Sequence, residues 1–247
     1  MNVVVTGSSA GIGKASAELY MKYGANVVIH GASSKGEAVA EELNGKYEGK
    51  AVFIQADLKN MEEVRFLYEE SLRLFGHIDI LVNCAGIVPA GTVLDFDESA
   101  FDEVFAINVR SMFFLSQLFV EHMLQNKTGN IVNIGSIAGL IGPKNRALYA
   151  ATKGAVISLT RAMASDYADT GIRINCVCPG MVYSPSLQER IAATPDPEET
   201  YRIFQNNIPM KRIGSIEEIA ETVCFVSSKE NSFMTGSIVT VDGGASL

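Results

Sequence analysis

The chain has 247 residues, 47% of them apolar and 19% charged, and a formal net charge of −8. That is enough chain and enough apolar side chain to bury a sizeable core. The negative balance weighs against nucleic acid or an anionic membrane as partner, because both reward positive charge, and the densest basic spot is only Lys211-Arg212.

Taken in chain order, short apolar β-branched runs alternate with amphipathic stretches. The runs 2–6, 26–31, 51–55, 79–83, 130–135, 172–177 and 237–241 predict strands. Helical patterns fall near 11–23, 35–44, 60–75, 98–126, 149–169 and 215–228. Continuous apolar strands separated by helices predict a parallel sheet covered on both faces. The expected fold is therefore α/β: a Rossmann-type, doubly wound, seven-stranded parallel sheet in a single domain over 1–247. Ligands are expected in the crevice at the carboxyl ends of its strands. The segment 184–210 breaks the alternation with Pro185, Pro195, Pro197 and Pro209. With several charges and short helical patches beside the prolines, it reads as an irregular insertion and a mobile cover over a site.

Cys84, Cys176, Cys178 and Cys224 fit no zinc spacing and read as buried free thiols in a reducing compartment. The apolar strand pattern begins at once, without a basic leader, and no apolar run approaches ~18 residues. The expectation is a cytoplasmic protein without a membrane span. His30, His77 and His122 sit near no nucleophile motif, and no ligand cluster for a metal can be assembled.

The first strand runs directly into 6-TGSSAGIG-13 and a helix. Glycine there permits a tight turn and close approach of a pyrophosphate, while the helix N-terminus offers N–H groups to the phosphates. Gly7, Gly11 and Gly13 are candidates for that task, with Ser8, Ser9 and Ile12 beside them. Further on, 149-YAATK-153 places a phenol and an ammonium on one face of a helix. An ammonium one turn away favours the phenolate, which suits a proton-transfer role.

With the glycine loop, 83-NCAG-86, Asn108 in 107-INV-109, Ser136 after the fifth strand, Tyr149 and Lys153, Pro179-Gly180 and 241-VDGG-244, the chain resembles the short-chain dehydrogenase/reductase family along nearly its whole length. The resemblance implies an NAD(P)-dependent oxidoreductase that moves a hydride between nicotinamide and a carbonyl or secondary alcohol. Tyr149 would be the general acid/base and Lys153 its tuner and a holder of the nicotinamide ribose. Ser136 would bind the substrate oxygen, and Asn108 would hold a water linking the lysine to solvent. The cofactor would further meet Asp57, Leu58, Asn83, Ala85, Gly86, Pro179, Gly180, Val182 and Ser184. The Cys at position 84 stands where the family has a second Asn, and Ser184 where relatives usually have Thr.

The second strand ends in 28-VIHGASSK-35 without the acidic residue that NAD-preferring folds place there. Ser33 and Ser34 offer donors to a 2′-phosphate, so NADP is favoured over NAD, although Ala10 stands where many NADP-dependent relatives have Arg or Lys. Ala138 and Tyr183 are candidate substrate contacts in a largely apolar wall. The outline is similar to 3-oxoacyl-[acyl carrier protein] reductases, but 126-NKTGN-130 and 167-YADTG-171 lack the arginines an acidic carrier would want. A small free substrate is preferred, with carrier-bound reduction as the alternative and a non-catalytic dinucleotide sensor as a third. Relatives pair long helices into homodimers or homotetramers, and the same is expected here.

Overall fold

The strands β1 (Asn2–Val5), β2 (Asn26–Gly31), β3 (Ala51–Gln55), β4 (Ile80–Asn83), β5 (Gly129–Ile134), β6 (Ile172–Pro179) and β7 (Ile238–Val241) occupy the apolar runs. In the computed structural model, which describes residues 1–247, they form one sheet in the order β3-β2-β1-β4-β5-β6-β7. Every neighbouring pair is parallel. The winding reverses between β1 and β4, and such a switch point opens a crevice at the carboxyl edge.

The helices are α1 (Gly11–Lys22), α2 (Lys35–Lys46), α3 (Met61–Phe75), α4 (Glu98–Phe105), α5 (Ser111–Asn126), α6 (Ala147–Asp166), α7 (Pro185–Ala192), α8 (Pro197–Asn206) and α9 (Ile216–Ser227). Alternation along the strands divides the core in two. Val3, Val5, Val27 and Ile29 face α1, α2 and α9 through residues such as Tyr20, Leu43 and Val223. Val4, Val28 and Ile131 point the other way, against Leu67 of α3 and Leu115 and Phe119 of α5. Because both faces are covered, the strands carry apolar residues without interruption. Most polar exceptions are paired within the core, Asn130 Oδ1 being the one buried polar side-chain atom left without a partner. The Asn83 amide donates to Ser116 Oγ (3.0 Å) and Asn133 Oδ1 (2.9 Å), and Asn133 donates to Thr160 Oγ1 (2.9 Å).

Two expectations need correction. The helix foreseen over 98–126 is helical throughout, but Ala106–Arg110 form a π turn between α4 and α5. By length and composition this stretch could cross a bilayer, and half of it is buried inside the protein, where it serves as a core helix. The short helical patches expected in 184–210 are two complete helices, so the segment is more regular than an irregular insertion. It folds into α7 and α8, with Pro185 and Pro197 in the first turns and Ser184 and Asp196 as caps. Proline is well placed there, since its missing N–H would have no partner in a first turn anyway. Leu187, Ile191, Ile208 and Ile213 bury together and hold this pair of helices over the sheet edge.

Candidate active site

The turn from β1 into α1 is shaped by what cannot be added to it. A Cβ on Gly13 would lie 2.4 Å from the Gly7 carbonyl oxygen, and one on Gly7 would lie 2.8 Å from Ala85 Cα. Gly7 and Gly11 adopt φ of +65° and +56°, a region that disfavours side chains. A Cβ on Gly11, by contrast, would approach nothing closer than Pro185 Cδ at 3.9 Å, so this side of the turn is open. The cap residue Ala10 gives no side-chain bond, and no acidic residue sits in the first turn of α1. The helix thus presents unsatisfied N–H groups and the positive end of its dipole to the open side, which fits the pyrophosphate of a dinucleotide.

His30 braces this turn from below. Gly7 N–H donates to its Nδ1 (2.9 Å), and Nε2 lies 3.1 Å from the Ala56 carbonyl, which sets the tautomer with the proton on Nε2. Burial lowers its pKa to about 4, partly offset by the bond to Ala56, so the ring is neutral. Ser8 also faces inward. Its hydroxyl donates to Val5 O (2.6 Å) and accepts from His30 N (2.9 Å), which leaves it a brace rather than a phosphate contact. Ser9 lies beside Gly31, at the end of β2.

Across the crevice, Ser136 caps a short 3-10 turn, and its Oγ accepts from Ala138 N (3.1 Å). Its own proton remains free to donate into the cleft. Tyr149 and Lys153 sit on the first turns of α6. Lys153 is buried, donates to Ile134 O (2.7 Å), and places Nζ 5.7 Å from the centre of the Tyr149 ring. A Cβ on Gly86 would approach both Lys153 Nζ (3.7 Å) and Asn108 Oδ1 (3.2 Å), so the 83–86 turn closes over both. The Asn108 side chain makes three hydrogen bonds: Oδ1 accepts from Ile87 N (2.8 Å), while Nδ2 donates to Ile87 O (2.9 Å) and Thr152 Oγ1 (3.1 Å). It pins the loop after β4 with both of its Nδ2 hydrogens and one Oδ1 lone pair, which leaves the second Oδ1 lone pair as its remaining hydrogen-bonding capacity.

These parts surround a cleft of about 530 Å³. Of the residues singled out in the sequence, Gly7, Gly11, Ile12, Gly13, Ala85, Gly86, Ser136, Ala138, Tyr149, Lys153, Pro179, Gly180, Val182 and Ser184 line it. Ser184 Oγ accepts from Leu187 N (3.3 Å), which again leaves a hydroxyl proton to donate. Ser33, Ser34, Asp57 and Leu58 lie beyond it, where β2 and β3 end. The Asn83 side chain is spent inside the sheet, and Tyr183 turns away to pack edge-on against Tyr201 (5.7 Å between centroids). Burial pushes the Cys84 thiol up to about 11 against the pull of Lys153, so it is a neutral packing group. Two charged lining residues were not foreseen, Arg146 and Arg190. The signal was local: Arg146 immediately precedes the helix of Tyr149, and Arg190 lies in the prolyl segment.

A family model described as enoyl-(acyl carrier protein) reductase matches residues 7–246. An uncharacterized oxidoreductase of Thermotoga maritima is 43% identical, over 98% of this chain and 96% of that one. Dehydrogenase/reductase SDR family member 6 of Rattus norvegicus is 42% identical, over 99% and 97% respectively. Among solved structures, ElxO with NADP bound superposes with a TM-score of 0.92 at 33% identity, covering 99% of this chain and 98% of that one. With the glycine turn, the crevice and the Ser136, Tyr149 and Lys153 arrangement already evident in its own geometry, the chain belongs to the short-chain dehydrogenase/reductase family and is an oxidoreductase.

Proposed function

We propose that the protein interconverts a small carbonyl compound and the corresponding secondary alcohol, using NADP in preference to NAD, with Tyr149 as general acid/base. The observation that carries this reading is that Ser136, Tyr149 and Lys153 line the same cleft as the open glycine turn. The bound dinucleotide would supply or accept the hydride. The α1 N-terminus and the backbone at Gly11 and Ile12 would hold its pyrophosphate, and the Ser184 hydroxyl its carboxamide. In the reducing direction Ser136 donates a hydrogen bond to the substrate oxygen, and Tyr149 gives that oxygen its proton. The Lys153 ammonium, anchored on Ile134 O, opposes the charge of the phenolate left behind. Asn108 acts through the loop it pins and is a positioning residue. The α7–α8 pair, packed on its own small apolar cluster, is the element expected to move as the cover.

NADP is favoured because Ser33, Ser34 and Lys35 are exposed beyond β2 without an acidic neighbour in that turn. Although Ser34 caps α2, its hydroxyl makes no capping bond and is free for a 2′-phosphate. The NADP bound to the similar ElxO structure agrees with this preference. The test is a panel of carbonyl compounds and secondary alcohols assayed in parallel with both dinucleotides. Turnover with a kcat/KM advantage for the phosphorylated cofactor is expected. Tight dinucleotide binding with no turnover on any member would instead support a sensor.

A further inference from the structure

Arg146 and Arg190 both line the cleft that holds Tyr149. Each is held from a different element. Arg146 stands at the N-terminus of α6, where its backbone bridges to Gly91, with Asn145 at φ +55° just before it. Arg190 lies in the last turn of α7, flanked by the buried Leu187 and Ile191. Neither guanidinium is in an ion pair. Their hydrogen bonds are few: Arg146 Nη1 to Asn145 O (2.8 Å) and Arg190 Nε to Ser186 O (3.3 Å). The cleft lining contains no Asp or Glu, in a chain with 28 acidic residues against 20 basic ones. Three other arginines have acidic partners, Arg73 with Glu70, Arg202 with Glu198 and Glu199, and Arg212 with Glu218, but Arg146 and Arg190 stand together in one cleft without any.

Two cations in one cleft repel each other and lose hydration, and only an anion compensates for both. The Arg190 guanidinium already shows this. Burial lowers its pKa first, the neighbouring Arg146 lowers it further, and Tyr149 acts in the opposite direction. The proximity of both charges to Tyr149 matters for substrate length, because the anion must sit within a few atoms of the oxygen that takes the proton. Val88, Ile141 and Phe204 give the same cleft apolar lining, which suits a short apolar chain.

We infer that the substrate is a short oxo acid or hydroxy acid whose carboxylate is held by Arg146 and Arg190 while its carbonyl or hydroxyl carbon faces Tyr149. The inference rests on the oxidoreductase reading above and names its substrate class. Guanidinium forks match carboxylate oxygens in pairs, and a charge-assisted bond of this kind is worth about 1.5–3 kcal/mol. That corresponds to roughly 10- to 100-fold in kcat/KM per arginine. The carboxylate thereby also fixes which face and which carbon of the chain are presented, so the arginines set specificity as well as affinity.

The test compares pyruvate, acetoacetate and levulinate with their methyl esters and with hydroxyacetone phosphate. The acid of the preferred length should exceed its ester in kcat/KM by about 10-fold or more. In Arg146→Gln and Arg190→Gln the acid-to-ester ratio should fall by a similar factor, whereas Arg161→Gln, on the exposed part of α6, should leave it unchanged. A ratio is insensitive to loss of folded protein. Binding is read separately, as the thermal shift of the dinucleotide-saturated protein with butyrate against butyramide. A shift with butyrate alone, lost in the two variants, supports the carboxylate site even if none of these ketones is reduced. Equal use of acid and ester, equal shifts with butyrate and butyramide, or preference for the phosphate ester would overturn the inference. Failure of every carbonyl, with butyrate binding retained, would count against the oxidoreductase reading alone.

Discussion

At the scale of single residues, the site depends on groups that the chemistry never touches. His30 is the clearest example. Its neutral ring accepts the Gly7 N–H, and protonation of Nδ1 would replace an acceptor with a donor facing a donor. Its pKa is depressed from 6.5 to about 4 by burial. Between those values the unfolded chain binds a proton that the folded chain does not, so stability rises with pH through this window and is lost as pH falls. Up to about 3 kcal/mol is at stake. Urea midpoints should therefore decline as pH is lowered from 6.5 toward 4, and His30→Gln should flatten that decline. An unchanged slope in the variant would remove His30 as the cause. None of this was legible in the sequence, where His30 is one apolar-flanked residue in a strand. Only the pairing of β1 with β2 brings it beneath the glycine turn. Tyr149, Lys153 and Ser136 were legible because their positions are local to a helix or a strand end. The free proton on Ser136 and the loop-pinning bonds of Asn108 emerge only from three-dimensional contacts.

At the scale of elements, the strands were readable because burial on both faces removes polar interruption from a parallel sheet. The α7–α8 pair was legible only as short helical patches, because the prolines that read as breaks are helix starts. Reading that segment as irregular concealed Arg190, and with it the charge of the cleft. A further consequence of element packing lies on α4 and α5. Phe101 stacks on Phe105 (4.5 Å), Phe113 meets Phe114 edge-on (5.3 Å), and Phe101, Phe113 and Phe114 are exposed. An exposed aromatic face of this kind is expected to pair with a second copy, as the resemblance to paired-helix relatives implies. Sedimentation equilibrium should give a dimer or tetramer, and Phe114→Glu should shift it toward smaller species. A monomeric wild-type protein would contradict the assignment.

For the whole molecule, the order β3-β2-β1-β4-β5-β6-β7 explains how distant motifs meet. The glycine turn follows β1, Gly86 lies just beyond β4, and Ser136 just beyond β5, all at one sheet edge. The α6 helix then presents Tyr149 and Lys153 to that edge, and the loop after β6 closes it with Ser184. The net charge of −8 belongs to the chain as a whole, whereas the cleft lining itself has no acidic side chain. On this mechanism the phenol of Tyr149 transfers the proton while the rest of the cleft binds and orients. The direct measurement is the kcat of Tyr149→Phe beside its affinity for the reduced dinucleotide, measured by fluorescence titration. The account predicts a kcat lower by roughly 10²- to 10⁴-fold, with dinucleotide affinity close to that of the unsubstituted protein. Full activity in Tyr149→Phe would contradict it.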